Sequence, residues 1–408
     1  MSRTKHRAEL LYRYLIIATK RLTDRQLMIL LAIVVGLAAG LATYVFQHTL
    51  EFFRFSLTSW FDIDKASVLY FFYPVVGIVI ATLFVRYVVR DDISEGVTRV
   101  LYAMSKKGSR IKPHNCYSSI IASSATIGFG GSVGPEAPIV LTGSAIGSNI
   151  GRFMRMNYKN STLLLCCGAG AALAAIFKAP ITGVVFVLEI LMLDITAGSV
   201  IPLLIASITA TTMAFMLRGF DPILAVTLAP ADAFELWQIP LFILLGVLCG
   251  LMAWYFTSMN SRVGGFFKSI DKQYKKWLWG GAILGILIFV FPPLYGEGYE
   301  GFTSLMHGNA QELFNNSLFY RFRDIDWVII LFVIATMFFK VIAMSTTNAA
   351  GGVGGTFAPS LFVGAFTGAS LALVCNTLFG WEVSIVSFTL VGMAGVMSGV
   401  MNAPLTSI

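Results

Sequence analysis

The sequence predicts an all-α polytopic membrane protein, on three observations. First, 57% of its 408 residues are hydrophobic and 12% are charged, about half the charged share of an ordinary soluble domain. The mean hydropathy is +0.78. A soluble fold of this length cannot hide that much apolar surface, which excludes a water-soluble enzyme. Second, the apolar residues fall into runs, many near the length of about 20 residues that a spanning helix needs. Third, the basic residues gather between the runs. That is the pattern of cytoplasmic loops rather than of a nucleic-acid surface, despite a net charge of +8.

In chain order, a basic segment over 1–25 carries Arg3, Lys5, Arg7, Arg13, Lys20, Arg21 and Arg25 and is expected on the cytoplasmic side. It is too long for the basic part of a signal peptide, and the run that follows is long enough to span. Apolar runs then lie at 27–46, 68–89, 115–129, 138–150, 162–177, 180–193, 198–217, 239–258, 277–293, 327–345, 358–379 and 385–401. The loop around Asp221, Asp232 and Glu235 has few basic residues and is expected outside. Arg262, Lys268, Lys272, Lys275 and Lys276 mark a cytoplasmic loop. Stretches 259–276 and 296–326 are read as surface connections. The five cysteines (Cys116, Cys166, Cys167, Cys249, Cys375) show no metal spacing and are read as reduced apolar packers. Several runs are short and broken by Gly or Pro in pairs, the pattern that marks a midplane binding site in transporters.

An internal repeat stands out. Gly130-Gly131-Ser132-Val133-Gly134-Pro135-Glu136-Ala137-Pro138 precedes an apolar run with Gly143 and Gly147. Gly351-Gly352-Val353-Gly354-Gly355-Thr356-Phe357-Ala358-Pro359 precedes one with Gly364 and Gly368. The offset is 221 (358 − 137) throughout, and 224 (404 − 180) for a second block that aligns Gly168, Ala179-Pro180 and Thr182 with Gly392, Ala403-Pro404 and Thr406. The repeat divides the chain into the basic segment 1–25, a first membrane repeat over 26–235 and a second over 236–408. Ile408 then corresponds to Val184, inside an apolar run that in the first repeat leads on to another, ending near Arg218. The second repeat is therefore expected to continue past Ile408, and the 408 residues to be part of a longer encoded protein.

Each glycine block stands just before a helix-like segment, which places residues 134–138 and 355–359 at helix N-termini. There the first N–H groups lack intrahelical partners and the helix dipole is positive. Such an end binds an anion without a formal charge, and binds it loosely enough for release. Close helix packing is the other reading of the glycines. Glu136 adds to the first reading. A carboxylate at membrane depth costs a few kcal/mol and marks function by default. Ionised, it can fill the anion site; protonated, it can leave. Capping of its own helix is the alternative.

Gly134-Pro135-Glu136-Ala137-Pro138 resembles the GREGP gate motif of the CLC family of chloride channels and proton-coupled chloride transporters. Gly355-Thr356-Phe357-Ala358-Pro359 is similar to that family's GxFxP motif. Phe177-Lys178-Ala179-Pro180, Pro292-Pro293-Leu294-Tyr295-Gly296-Glu297-Gly298-Tyr299 and Met401-Asn402-Ala403-Pro404-Leu405-Thr406 also resemble CLC segments, so the resemblance runs from about residue 27 to the end. It implies a double inverted repeat with broken and re-entrant helices, a homodimer in a lipid bilayer, and an anion pathway in each subunit. It implies chloride as the transported ion, with or without protons, and no other cofactor, metal or nucleic acid. It implies Glu136 as the gate, and backbone amides of Gly134, Ala137, Gly355, Thr356, Phe357 and Ala358 as anion ligands. An integral protein of a prokaryotic plasma membrane, with a cytoplasmic N-terminus, is the expected setting.

The chain departs from the family pattern. Pro135 replaces the usual Arg and removes an N–H, which weakens the outer site. The GSGIP motif is best matched by Ser94-Glu95-Gly96-Val97-Thr98, with Glu95, or Ser94 in a shifted register, at the pore serine. Leu188-Glu189-Ile190 places Ile190 where proton-coupled members often carry a glutamate, with Glu189 beside it. The family's pore tyrosine aligns beyond Ile408. Lys340 is open between snorkelling, pairing with a carboxylate and a pore role, and Lys178 is similarly open. Thr142, Ser144 and Ser148 are read as helix-packing residues, and Gly168-Ala169-Gly170-Ala171-Ala172 as a small-residue contact face. The competing functions are a fluoride/proton antiporter of the same family and, from another class, an intramembrane hydrolase. The second has neither an HExxH motif nor a GxSG-type nucleophile with a buried His.

Overall fold

The computed structural model describes residues 22–59, 68–94, 96–194, 196–220 and 235–408. Most of the basic N-terminal segment and the acidic loop at Asp221 and Asp232 lie outside the described residues. Among the described residues the regular elements are helices, joined at one point by a bridge between two glycines. Helix α1 spans Asp24–Thr58, α2 Leu69–Leu83, α3 Gly96–Lys106, α4 Ser118–Gly128, α5 Glu136–Phe153, α6 Tyr158–Phe177, α7 Pro180–Glu189 and α8 Ala197–Arg218. Helices α9 (Ile239–Lys268), α10 (Gln273–Val290), α11 (Tyr299–Met306), α12 (Asp326–Ala350), α13 (Phe357–Phe379), α14 (Ile385–Met401) and α15 (Pro404–Ser407) follow. Seven segments among the described residues are long and apolar enough to cross a membrane. At 35 residues, α1 is about 52 Å long, so it tilts or projects beyond a hydrocarbon layer of about 30 Å.

The residues separate into two units. The first holds, of the described residues, 22–44, 98–116 and 140–220; the second holds 45–97, 117–139 and 235–408. Within the first unit, α5 and α6 meet through glycine. A Cβ at Gly168 would stand 1.9 Å from the Gly143 carbonyl oxygen, so only hydrogen fits there. The face formed by Gly168–Ala172 is buried. Ser148 accepts the Ile111 N–H at 3.0 Å and donates to the Ser109 carbonyl at 2.7 Å, a packing role as expected. Lys178, in the left-handed region at φ 55°, ends α6; its Nζ donates to the Gly219 carbonyl at 2.9 Å, closing the end of α8.

Within the second unit the same devices recur. A Cβ at Gly392 would stand 2.3 Å from the Gly364 carbonyl oxygen, at the contact of α13 and α14. Asn402, left-handed at φ 51°, ends α14, and Pro404 opens α15, as Lys178 and Pro180 do in the first unit. Left-handed caps stop a helix, and proline at the first helical position restarts one. The paired breaks are therefore written in the local sequence.

Two sequence expectations are corrected. Stretch 259–276 is not a loop: α9 continues to Lys268 with Phe267 buried, and the connection is residues 269–272. Stretch 296–326 is not only surface, because α11 buries Gly301, Phe302, Leu305 and Met306. The cysteines are free, and all but Cys116 are buried.

Candidate functional site

The two glycine blocks meet in the second unit. Gly134 N–H donates to the Gly355 carbonyl at 2.9 Å, and Gly355 N–H to the Gly134 carbonyl at 2.7 Å. This two-residue antiparallel bridge joins positions that the repeat makes equivalent. It also corrects the expected ligand set: the amides of Gly134 and Gly355 are used by each other and do not face an anion. The glycines are required here by close approach. A Cβ at Gly134 would stand 2.1 Å from Glu136 Oε2, and one at Gly355 would stand 3.0 Å from Ala137 Cβ.

Beyond the bridge, α5 and α13 begin. The first helical bonds are Ile139 N–H to the Pro135 carbonyl (3.1 Å) and Ser360 N–H to the Thr356 carbonyl (3.0 Å). The N–H groups before Ile139 and Ser360 lie ahead of the ladder, and Pro138 and Pro359 have none. The helix-start amides are those of Glu136 and Ala137 in one case and of Phe357 and Ala358 in the other, and the Glu136 N–H meets its own carboxylate. Thr356 stands at the cap position of α13. Gly96 brings a third helix start to the same place: a Cβ there would stand 2.1 Å from the Ala137 carbonyl oxygen, so α3 begins against α5.

Glu136 is 1% exposed. Its Oε2 accepts the Ala358 N–H at 3.4 Å, at the start of the opposite helix. Its Oε1 accepts the Tyr299 hydroxyl at 2.5 Å. The carboxylate of the first block therefore lies on the amide end of the second, where the helix dipole favours negative charge.

Tyr299 opens α11 and belongs to a clamp built from the Pro292–Tyr299 segment. The Tyr295 hydroxyl donates to the Gly128 carbonyl at 2.7 Å, and its ring leaves no room for a Cβ at Gly130. Gly296 N–H donates to the Gly130 carbonyl at 3.4 Å. Lys340 is fully buried. Its Nζ donates to the Gly296 carbonyl at 2.9 Å and sits 4.9 Å from the centre of the Phe362 ring, within Coulombic reach of Glu297 and Glu136. Of the three roles open to Lys340, snorkelling is excluded, since the ammonium is held inside.

Ser94 is exposed, and its hydroxyl donates to Asp92 at 2.6 Å in its own turn. Glu95 lies outside the described residues. Glu189 and Ile190 end α7 in the first unit, where the Ile190 N–H bonds the Phe186 carbonyl. Thr142 and Ser144 are buried, and their hydroxyls have no hydrogen-bond partner among the described residues. Sequence reading missed Thr126 and Thr347, and placed Tyr299 in a family-like segment without giving it a role. The two threonines share the offset of 221 (347 − 126) and were findable by extending the repeat. Nothing in the spacing marks Tyr299.

Residues 76–408 match the family model described as voltage gated chloride channel. The H(+)/Cl(-) exchange transporter ClcA of Vibrio cholerae is 25% identical over 397 residues, which cover 93% of this chain and 80% of that one. Chloride channel protein CLC-f of Arabidopsis thaliana is 29% identical over 308 residues; this chain spans 37% of its length. Among solved structures, a slow cyanobacterial Cl-/H+ antiporter superposes with a TM-score of 0.76 at 21% identity, over 95% of this chain and 88% of that one. That likeness extends to the fold.

Proposed function

The chain belongs to the family of voltage-gated chloride channels, and we propose that it carries chloride across a membrane through a pathway gated by Glu136, as a channel or in exchange for protons. The observation that carries this reading is the Glu136 carboxylate resting on the Ala358 N–H. A side chain that occupies an amide anion site is a competitor for the anion. Ionised Glu136 is attracted by the helix start and shuts the site. Protonated, it loses that attraction, and chloride takes the amides of Ala358, Phe357 and Thr356, with Ala137 at the start of the other helix.

The absence of a fixed cation among the proposed ligands suits passage, because binding to amides alone permits release. The bridge between Gly134 and Gly355 supports a two-fold relation between repeats 26–235 and 236–408, since equivalent residues meet across such an axis. We read the protein as a transporter rather than an enzyme. A homodimer in a prokaryotic plasma membrane, with the basic segment 1–25 cytoplasmic, completes the reading.

The test is a proteoliposome assay that records chloride and protons together, with fluoride substituted for chloride in a parallel arm. Anion flux that rises as pH falls in the wild type, and loses that dependence in Glu136→Gln, is expected. Proton movement driven by a chloride gradient assigns exchange; its absence assigns a channel. Flux of fluoride without chloride assigns the antiporter alternative. No flux of either anion, or wild-type proton-coupled uptake in Glu136→Gln, overturns the reading.

A further inference from the structure

We propose that Tyr299 is the latch of the gate: its phenol holds the Glu136 carboxylate shut, and its rotation toward solvent is the step that frees the carboxylate. The inference rests on the gating role of Glu136 proposed above.

Besides the N–H of Glu136 itself, two donors from other elements hold the carboxylate, and they differ in freedom. The Ala358 N–H belongs to the first turn of α13 and moves only with that helix. The Tyr299 hydroxyl sits on a side chain with two torsions and can turn away. The backbone of Tyr299 is fixed, which makes the side chain the moving part. Gly298, left-handed at φ 92°, sets the start of α11, and the Lys340 ammonium holds the Gly296 carbonyl just before it.

The two bonds also differ in access. Glu136 is 1% exposed. Tyr299 is half-buried and lines a solvent-open pocket of about 350 Å³ with Glu300, Thr303, Ser304, His307 and Glu312. Water in that pocket can replace Glu136 as partner of the phenol, so the latch exchanges one hydrogen bond for another.

A hydrogen bond to an ionised carboxylate favours the charged form. The latch therefore stabilises the shut, ionised gate and holds back its protonation. The charged and titratable groups around the pair are Glu297 beside Tyr299, Lys340 from α12, Arg54 from α1 with its partner Glu300, and His307 and Glu312 across the pocket. None of these changes in Tyr299→Phe, which removes the hydroxyl and keeps the ring.

The experiment compares wild type, Tyr299→Phe, Glu136→Gln and the double variant in proteoliposomes, from pH 4 to pH 9 (a range of about five units, to bracket a carboxyl displaced by burial). In parallel, infrared difference spectra follow the carboxyl C=O band that Glu136→Gln removes. Tyr299→Phe is expected to move the pH of half-maximal flux, and the pH at which the band appears, upward by about one unit. That corresponds to about 1.4 kcal/mol, and the same substitution in Glu136→Gln leaves flux unchanged. An unmoved band and an unmoved flux profile overturn the latch, as does an equal loss of flux in both backgrounds, which is the signature of a packing role. Absence of anion flux in every variant overturns the transport reading instead, and the band still decides the latch.

Discussion

Thr126 and Thr347 each hold the other repeat's glycine turn. Thr126 donates to the Ala122 carbonyl at 2.9 Å within α4 and accepts the Val353 N–H at 3.0 Å. Thr347 donates to the Ala343 carbonyl at 2.8 Å within α12 and accepts the Ser132 N–H at 3.1 Å. Their own turns close alike, Gly131 N–H on the Thr126 carbonyl at 2.8 Å and Gly352 N–H on the Thr347 carbonyl at 2.9 Å. Hydroxyls thus link the two glycine blocks on one side of the Gly134–Gly355 bridge, before α5 and α13 start.

Thr126→Val keeps the shape and removes the acceptor, leaving a buried N–H on Val353. The expected loss of stability is about 1–3 kcal/mol, read as a lower thermal midpoint in detergent. Thr347→Val should act equally through Ser132. Because both hold one bridge, the double variant should depart from additivity. Independent, additive effects would show that the two turns are not one unit.

Gly134→Ala places a methyl 2.1 Å from Glu136 Oε2. The carboxylate must leave the Ala358 amide, so flux at alkaline pH should rise toward that of Glu136→Gln, with some loss of stability. Gly355→Ala meets Ala137 instead, at 3.0 Å, and should lower stability while preserving pH dependence. The same assay on both variants checks this; identical pH profiles would contradict the clash.

Lys340→Met removes the donor to the Gly296 carbonyl. A buried hydrogen bond to a charged group is worth about 1.5–3 kcal/mol, and thermal unfolding should show a loss of that order. Lys340→Arg retains the charge in a larger, forked head and should recover only part of that loss. Wild-type stability in Lys340→Met would mean the ammonium is not structural.

The helical fold and the meeting of two helix starts were legible because they rest on local chemistry. Runs of apolar residues, the Lys178-Ala179-Pro180 and Asn402-Ala403-Pro404 breaks, and the repeated glycines each act within a few residues. The roles of Gly134 and Gly355 were misread because a glycine before a helix suits an amide donor and a close backbone contact equally; only their mutual bonds decide. The role of Tyr299 stayed hidden for a different reason. It lies 163 residues from Glu136, in a largely polar stretch, and no periodicity of that length marks a partner.

Gly168→Val and Gly392→Val test the matched helix contacts directly. The nearest carbonyl oxygens stand 1.9 Å and 2.3 Å from the new Cβ, so backbone must move, and overpacking of this kind costs at least about 1–3 kcal/mol. Both should lose the monodisperse peak on size-exclusion chromatography. A normal profile from either would show that its helix pair can separate without harm.

The central claim is that the Glu136 carboxylate and the transported anion compete for the Ala358 N–H. Anomalous diffraction from bromide-soaked crystals of Glu136→Ala measures it most directly. The account predicts a bromide peak within hydrogen-bonding distance of the Ala358 nitrogen, and a weaker peak or none there in the wild type at high pH. A Glu136→Ala crystal with no bromide at that amide would contradict it.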